Sequence, residues 1–245
     1  MTIFRFRQKA AQLVQFGKKQ FNFQSFFSLL SPGLVQQILL FLLSMGAFGY
    51  ITNGVLNLET RDLDLNIMLA IQKTHTPLLD IPMRIFSHLG GPIVLIGISV
   101  GLAVKFWLRR QRIELFGLLV AAGGGSLVNL LIKAGFNRVR PLLWVPLLHD
   151  HLNTSSYPSG HVTNALVIYG FCGYLLGRYF PRWRWLIYLG TLLLVLAIGW
   201  SRMYAGLHWP TDVLAGYATG FAWLNVSILS FQICKRREKM RREQV

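Results

Sequence analysis

The sequence predicts an all-α membrane protein, a polytopic bundle of six transmembrane helices preceded by an N-terminal interfacial helix. Three observations carry that prediction. Of 245 residues, 53% are hydrophobic and only 14% are charged. The apolar residues fall in runs of about twenty, long enough as helix to cross the ~30 Å hydrocarbon layer. The basic residues sit between these runs instead of gathering on one soluble face. The excess of 25 Lys and Arg over 9 Asp and Glu, a net +16, is therefore read as membrane topology, with no nucleic-acid partner.

Taken in order, residues 1–32 interleave Phe4, Phe6, Phe16, Phe21, Phe23, Phe26 and Phe27 with Arg5, Arg7, Lys9, Lys18 and Lys19, a composition that suits a basic amphipathic helix in the headgroup layer. About thirty residues precede the first long apolar run and no small-residue cleavage pattern follows it, which argues against a cleavable signal. The six-span domain, 33–234, places spans at roughly 33–56, 91–108, 113–133, 161–180, 185–205 and 209–234. Residues 57–90 form the longest outside connection, and the partly amphipathic "LDLNIMLAIQ" within it is expected to rest on the outer surface. Small residues in "AAGGGS", 121–126, and the pair Gly216 and Gly220 mark close helix packing. Cys172 and Cys234 lie inside apolar runs without a nearby partner and read as packing residues. Residues 235–245 form a basic tail.

An even number of crossings puts both termini on one side. That side holds five Lys and Arg before residue 33, four across 105–112, three across 178–184 and six after 234, against seven elsewhere. Cytoplasmic loops are enriched in these residues, so the termini are expected inside.

Three polar clusters then share the outer side: "KAGFNRVRP" from Lys133 to Pro141, "YPSGH" from Tyr157 to His161, and "SRMYAGLHWPTD" from Ser201 to Asp212. Between His161 and Ser201 lie 39 residues, ~58 Å as helix, which is two crossings of the membrane core. The chain goes in, comes back and can deliver all three clusters to one place. Lys133, Arg140 and Arg202 are fixed cations at a membrane boundary, where charge needs an opposite partner, so an anionic ligand is implied. Pro158, Ser159 and Gly160 precede a helix whose first amides suit phosphate oxygens. Asp212 lies four residues beyond His208, one helical turn, and can hold the imidazole as an oriented nucleophile. His161 on the opposing helix can protonate a leaving oxygen. Only one of the nine acids, Asp212, falls in these clusters, too few for a two-metal mechanism. His149 and His151, flanking Asp150, read as a solvated loop rather than a metal site, and His75 and His88 as surface or interface residues.

Together the three clusters resemble the signature of the type 2 phosphatidic acid phosphatase superfamily: lysine, six residues, Arg-Pro; then Pro-Ser-Gly-His; then Ser-Arg, five residues, His, three residues, Asp. Lys133, Arg140, Pro141, Pro158, Ser159, Gly160, His161, Ser201, Arg202, His208 and Asp212 match every position. The resemblance implies a metal-independent membrane lipid phosphatase without cofactors, acting on a lipid phosphomonoester or diphosphate in the bilayer through a phosphohistidine. It implies that His208 attacks phosphorus, Asp212 supports it, His161 is the acid and later activates water, and Lys133, Arg140, Ser159, Gly160 and Arg202 hold the phosphoryl oxygens. The vanadate-binding haloperoxidases share the constellation, but the six spans argue against their soluble architecture. A lipid phosphotransferase on the same fold and a non-enzymatic anion or lipid transporter are the rival functions. The transporter predicts polar residues continuing through the spans, whereas the fourth to sixth runs are nearly free of charge between their ends. The oligomeric state and the head group stay open.

Overall fold

A computed structural model describes residues 32–144 and 155–243. The expected interfacial helix therefore lies outside the described residues except for its last position, as do His149, Asp150 and His151 and the last two residues of the basic tail. Among the described residues the chain is all-helical: α1 (Pro32–Leu56), α2 (Arg61–Gln72), α3 (Pro77–Leu89), α4 (Pro92–Leu108), α5 (Arg112–Gly135), α6 (Gly160–Tyr179), a short 3-10 turn (Pro181–Trp183), α7 (Arg184–Tyr204) and α8 (Pro210–Glu243). Prolines at the start of α1, α3, α4 and α8 suit a first turn, where the missing N–H would have no partner.

Among the described residues four helices are long and apolar enough to cross a membrane, and α3 with α4, bent by 46° at their junction, makes a fifth crossing if the pair counts as one. The chain is an integral membrane protein on that evidence. The apolar surface agrees with it: Leu186, Leu189, Leu193 and Leu196 line one exposed face of α7, and Leu39, Leu42 and Leu43 stand out from α1. Such stripes at helical spacing are costly in water and suited to lipid. The connection expected over 57–90 is itself helical, because Thr76 caps α3 by accepting the Leu79 amide at 3.3 Å and Met68 and Ile71 give α2 a buried face. Neither helix is long enough alone to read as a span.

The helix α6 sits at the centre, packed against α5, α7 and α8. It falls short of the apolar composition of the candidate crossing helices because its first turns carry His161, Thr163 and Asn164. One buried cluster joins Leu118, Val167, Phe171, Leu224 and Phe231 of α5, α6 and α8, and another joins Leu95, Ala165, Ile168 and Ile198 of α4, α6 and α7. The small residues of α5 have a packing role: a side chain at Gly124 would strike the Trp223 ring, whose Nε1 donates to the Val120 carbonyl at 2.9 Å.

The seam between α6 and α8 brings two backbones close together near the polar end. A Cβ at Gly216 would lie 3.0 Å from the Ser159 carbonyl oxygen, and one at Gly220 3.0 Å from that of Thr163. The buried Thr163 hydroxyl stitches the seam, lying 3.0 Å from the Ser159 carbonyl and 3.3 Å from that of Gly216. The last helix is continuous for 34 residues, ~51 Å, and so runs through most of the segment expected as a tail.

Candidate active site

The ends of α5 and α7 and the starts of α6 and α8 meet at this polar end. The α7–α8 turn is closed by Gly206, whose φ of 73° belongs to the left-handed region and whose missing Cβ leaves room for the Trp144 indole. His208 follows. At the start of α8, Asp212 reaches back so that its Oδ2 accepts the Trp209 amide at 2.9 Å, half of a capping box. The same oxygen stands 3.5 Å from His208 Nδ1. Asp212 thus acts as a helix-start acceptor and as the neighbour of the imidazole at once.

Arg140 comes from the extended segment after α5. Its Nη1 donates to the Leu207 carbonyl at 2.8 Å and stands 3.3 Å from His208 Nε2. A guanidinium has no acceptor, so Nε2 must offer its lone pair on that side. The proton of the neutral ring is then assigned to Nδ1, toward Asp212. Burial pushes the His208 pKa down to about 4, against the opposing pull of the Asp212 carboxylate, so the ring is neutral near pH 7.

The remaining expected residues are placed as follows. Arg202, at the end of α7, is 1% exposed, and its Nη1 donates to the Ser87 hydroxyl of α3 at 2.6 Å. Lys133, at the end of α5, donates to the Ser155 carbonyl at 3.0 Å. Its ammonium lies within the electrostatic reach of Arg140, Arg202 and Asp212. His161, in the first turn of α6, is coupled in the same way to Arg202, His208, Lys133 and Arg140, and its Nε2 lies beside Gly91. Gly160 packs on Asn129, whose Oδ1 would be 2.9 Å from an added Cβ. The helix-start amides are not all available for a ligand, because the Ser159 N–H donates to the Asp212 carbonyl at 3.1 Å. The Ser159 hydroxyl, in contrast, is buried with no hydrogen-bond partner among the described residues. A buried hydroxyl without a partner is costly in a folded protein and suits a ligand oxygen. All three sequence clusters therefore converge on one polar end.

Two residues of this end escaped the sequence reading. Arg138 donates through Nη1 to Asp212 Oδ1 and through Nη2 to Asp64 Oδ2, the latter at 2.7 Å. Asp64 is 1% exposed and comes from α2. The available signal was its position: it lies four and seven residues before Met68 and Ile71, so an acid falls on the apolar stripe of that helix.

The sequence profile of the PAP2 superfamily matches residues 114–236. Phosphatidylglycerophosphatase B of Bacillus subtilis is 31% identical over 147 residues, 59% of this chain and 71% of that protein. An undecaprenyl-diphosphatase of Sulfolobus acidocaldarius is 42% identical over 98 residues, 40% of this chain and 41% of its own length. Among solved structures, the transmembrane PAP2 type phosphatidylglycerolphosphate phosphatase of Bacillus subtilis superposes with a TM-score of 0.67 at 28% identity, covering 82% of this chain and 96% of that one. Aquifex aeolicus LpxE superposes with a TM-score of 0.55 at 26% identity, covering 68% and 94%.

Proposed function

Since this chain belongs to the PAP2 superfamily, we propose that it is an integral-membrane, metal-independent lipid phosphatase that hydrolyses a phosphomonoester or diphosphate through a phosphohistidine. The substrate classes follow from its relatives, which are named as phosphatases of phosphatidylglycerophosphate, undecaprenyl diphosphate and lipid A. The carrying observation is His208, buried, with Nδ1 facing Asp212 and Nε2 facing the Arg140 cation.

In the first step Nε2 attacks phosphorus while the bond from phosphorus to the lipid oxygen breaks, and His161 gives that oxygen its proton. The Nδ1 proton stays on the ring, and Asp212 stabilises the positive charge that develops there. In the second step His161, now neutral, takes a proton from water as its oxygen attacks phosphorus and the nitrogen–phosphorus bond breaks. Phosphate leaves and both histidines return to their starting forms. Charge on the transferring group spreads over its equatorial oxygens, and Lys133, Arg140, Arg202, the Ser159 hydroxyl and the backbone at Gly160 are the groups assigned to hold it.

We further read six crossings, with α6 as the one enclosed by the others, both termini cytoplasmic and the site at the outer face. There a lipid phosphate already resides while its tails remain among other tails, so little apolar surface need reach water.

Purified protein assayed against phosphatidate, phosphatidylglycerophosphate, undecaprenyl diphosphate and a water-soluble ester tests the proposal. Lipid substrates should be turned over with far higher kcat/KM, excess chelator should leave the rate intact, and His208→Ala and His161→Ala should each cost at least ~10^3-fold in kcat. A folded His208→Ala variant with near-normal turnover sinks the mechanism. Transfer of the phosphoryl group to a lipid or sugar acceptor in preference to water would make it a phosphotransferase instead.

A further inference from the structure

The mechanism so far leaves Arg138 and Asp64 without a part, yet Arg138 donates directly to the carboxylate that backs the nucleophile and Asp64 accepts from Arg138 in turn. Arg138 Nη1 donates to Asp212 Oδ1 and to the Thr211 hydroxyl, the latter at 2.8 Å. Its Nη2 donates to Asp64 Oδ2 at 2.7 Å. Asp64 in turn accepts the Thr211 amide at 3.0 Å on Oδ1 and the Thr211 hydroxyl at 2.6 Å on Oδ2. With Trp209 N–H on Oδ2 and Arg138 on Oδ1, the Asp212 carboxylate cannot rotate away from His208 without breaking both contacts.

We propose that Asp64 and Arg138 are positioning residues for the reaction at His208: Arg138 fixes the plane of Asp212, and Asp64 offsets the charge that Arg138 brings with it. The inference rests on His208 being the nucleophile.

The reasoning is electrostatic. A lone arginine on Asp212 would neutralise the carboxylate at the moment the imidazole gains positive charge by bonding to phosphorus. A second buried carboxylate on the same guanidinium restores one net negative charge behind the ring. That charge matters because the other groups facing His208 are mostly cationic. Arg140 approaches from the segment after α5, Arg202 from α7, and His161 from α6, while Lys133 of α5 acts on Asp212. Asp64 therefore gives α2, outside the three sequence clusters, a chemical reason for its contact with the first turn of α8. A residue that only docked α2 would make the same contacts but would leave the titration of His208 unmoved.

The test is a charge cycle in the full-length protein with a lipid phosphomonoester as substrate: Asp64→Asn, Arg138→Gln and the pair, with His208→Ala as reference. Asp64→Asn should lower kcat by about 10- to 100-fold while KM stays nearly constant. Arg138→Gln removes a cation near the ring, so imidazolium is favoured and the acid limb of kcat/KM should rise by about one pH unit. Adding Asp64→Asn to Arg138→Gln removes one of the two unopposed carboxylates and should bring the limb most of the way back. A wild-type kcat in Asp64→Asn, or the same limb in Arg138→Gln and the double variant, overturns the inference. If Asp64→Asn fails to fold, an unmoved limb in Arg138→Gln overturns it alone. Turnover surviving in His208→Ala would instead overturn the mechanism beneath it.

Discussion

His208 sits where two opposed demands meet. Burial strips water from the ring and pushes its pKa down to about 4, keeping it neutral, while Asp212 stands where the charge of the proposed attack would develop. The sign for activity follows. The neutral nucleophile is present above that pKa and is lost as pH falls through it, so the ascending limb of kcat/KM should lie near pH 4, well below the 6.5 of a free imidazole. This limb belongs to the enzyme and should not move when a monoester is exchanged for a diphosphate, whose own phosphates titrate differently. A limb near 6.5 would mean that water reaches the ring freely. The three clusters were legible as one candidate site because the phosphoryl transfer proposed for it needs cations, a nucleophile and an acid whatever holds them. Arg138 and Asp64 were not, because their meeting spans 74 positions of the chain and no periodicity encodes it.

Helix limits were legible to within a few residues, except for the far end of α8, because apolar run length and proline at the first turn are local properties. The crossing expected at 113–133 is α5, Arg112–Gly135, and that expected at 185–205 is α7, Arg184–Tyr204. The helicity of 57–90 was less legible, since α2 and α3 draw their order from contacts with α7 and α8 rather than from length. The seam between α6 and α8 sets the separation of the two histidines proposed to act in catalysis, one contributed by the start of α6 and the other by the turn leading into α8. Gly216→Ala would put a methyl 3.0 Å from the Ser159 carbonyl and 3.1 Å from Val162. The expected cost is ~1–3 kcal/mol in stability from overpacking, with kcat falling about 10- to 100-fold as the helices part. Gly97→Ala in α4, where nothing lies within 4 Å of the added carbon, should leave kcat unchanged. Thermal melts and steady-state kinetics on the two variants separate seam from propensity; equal kcat values would deny the seam any role in alignment.

At the scale of the whole molecule, the six basic residues after position 234 ride on the far end of the same helix whose first turn carries Asp212. The chain is thus electrically lopsided, and the proposed orientation can be read without knowing the substrate. With Cys172 and Cys234 replaced, a membrane-impermeant thiol reagent applied to intact cells should label Glu59→Cys and spare Gln111→Cys. The reverse pattern would put the site in the cytoplasm. The α2–α3 hairpin also completes the molecule in another sense. Asp64 ties α2 to Thr211 and Arg138, and at the other helix Tyr204 donates its hydroxyl to Asp80 at 2.7 Å and accepts the Thr76 amide at 3.2 Å. To open, the hairpin would have to strip a buried carboxylate from its arginine and release the end of α7 together. Hydrogen exchange at α2 and at the α7–α8 turn should accordingly report one cooperative unit. On this reading, local unfolding of the α2–α3 hairpin and disassembly of the candidate site should be a single event with a single free energy, with no partly opened state in which His208 stays aligned.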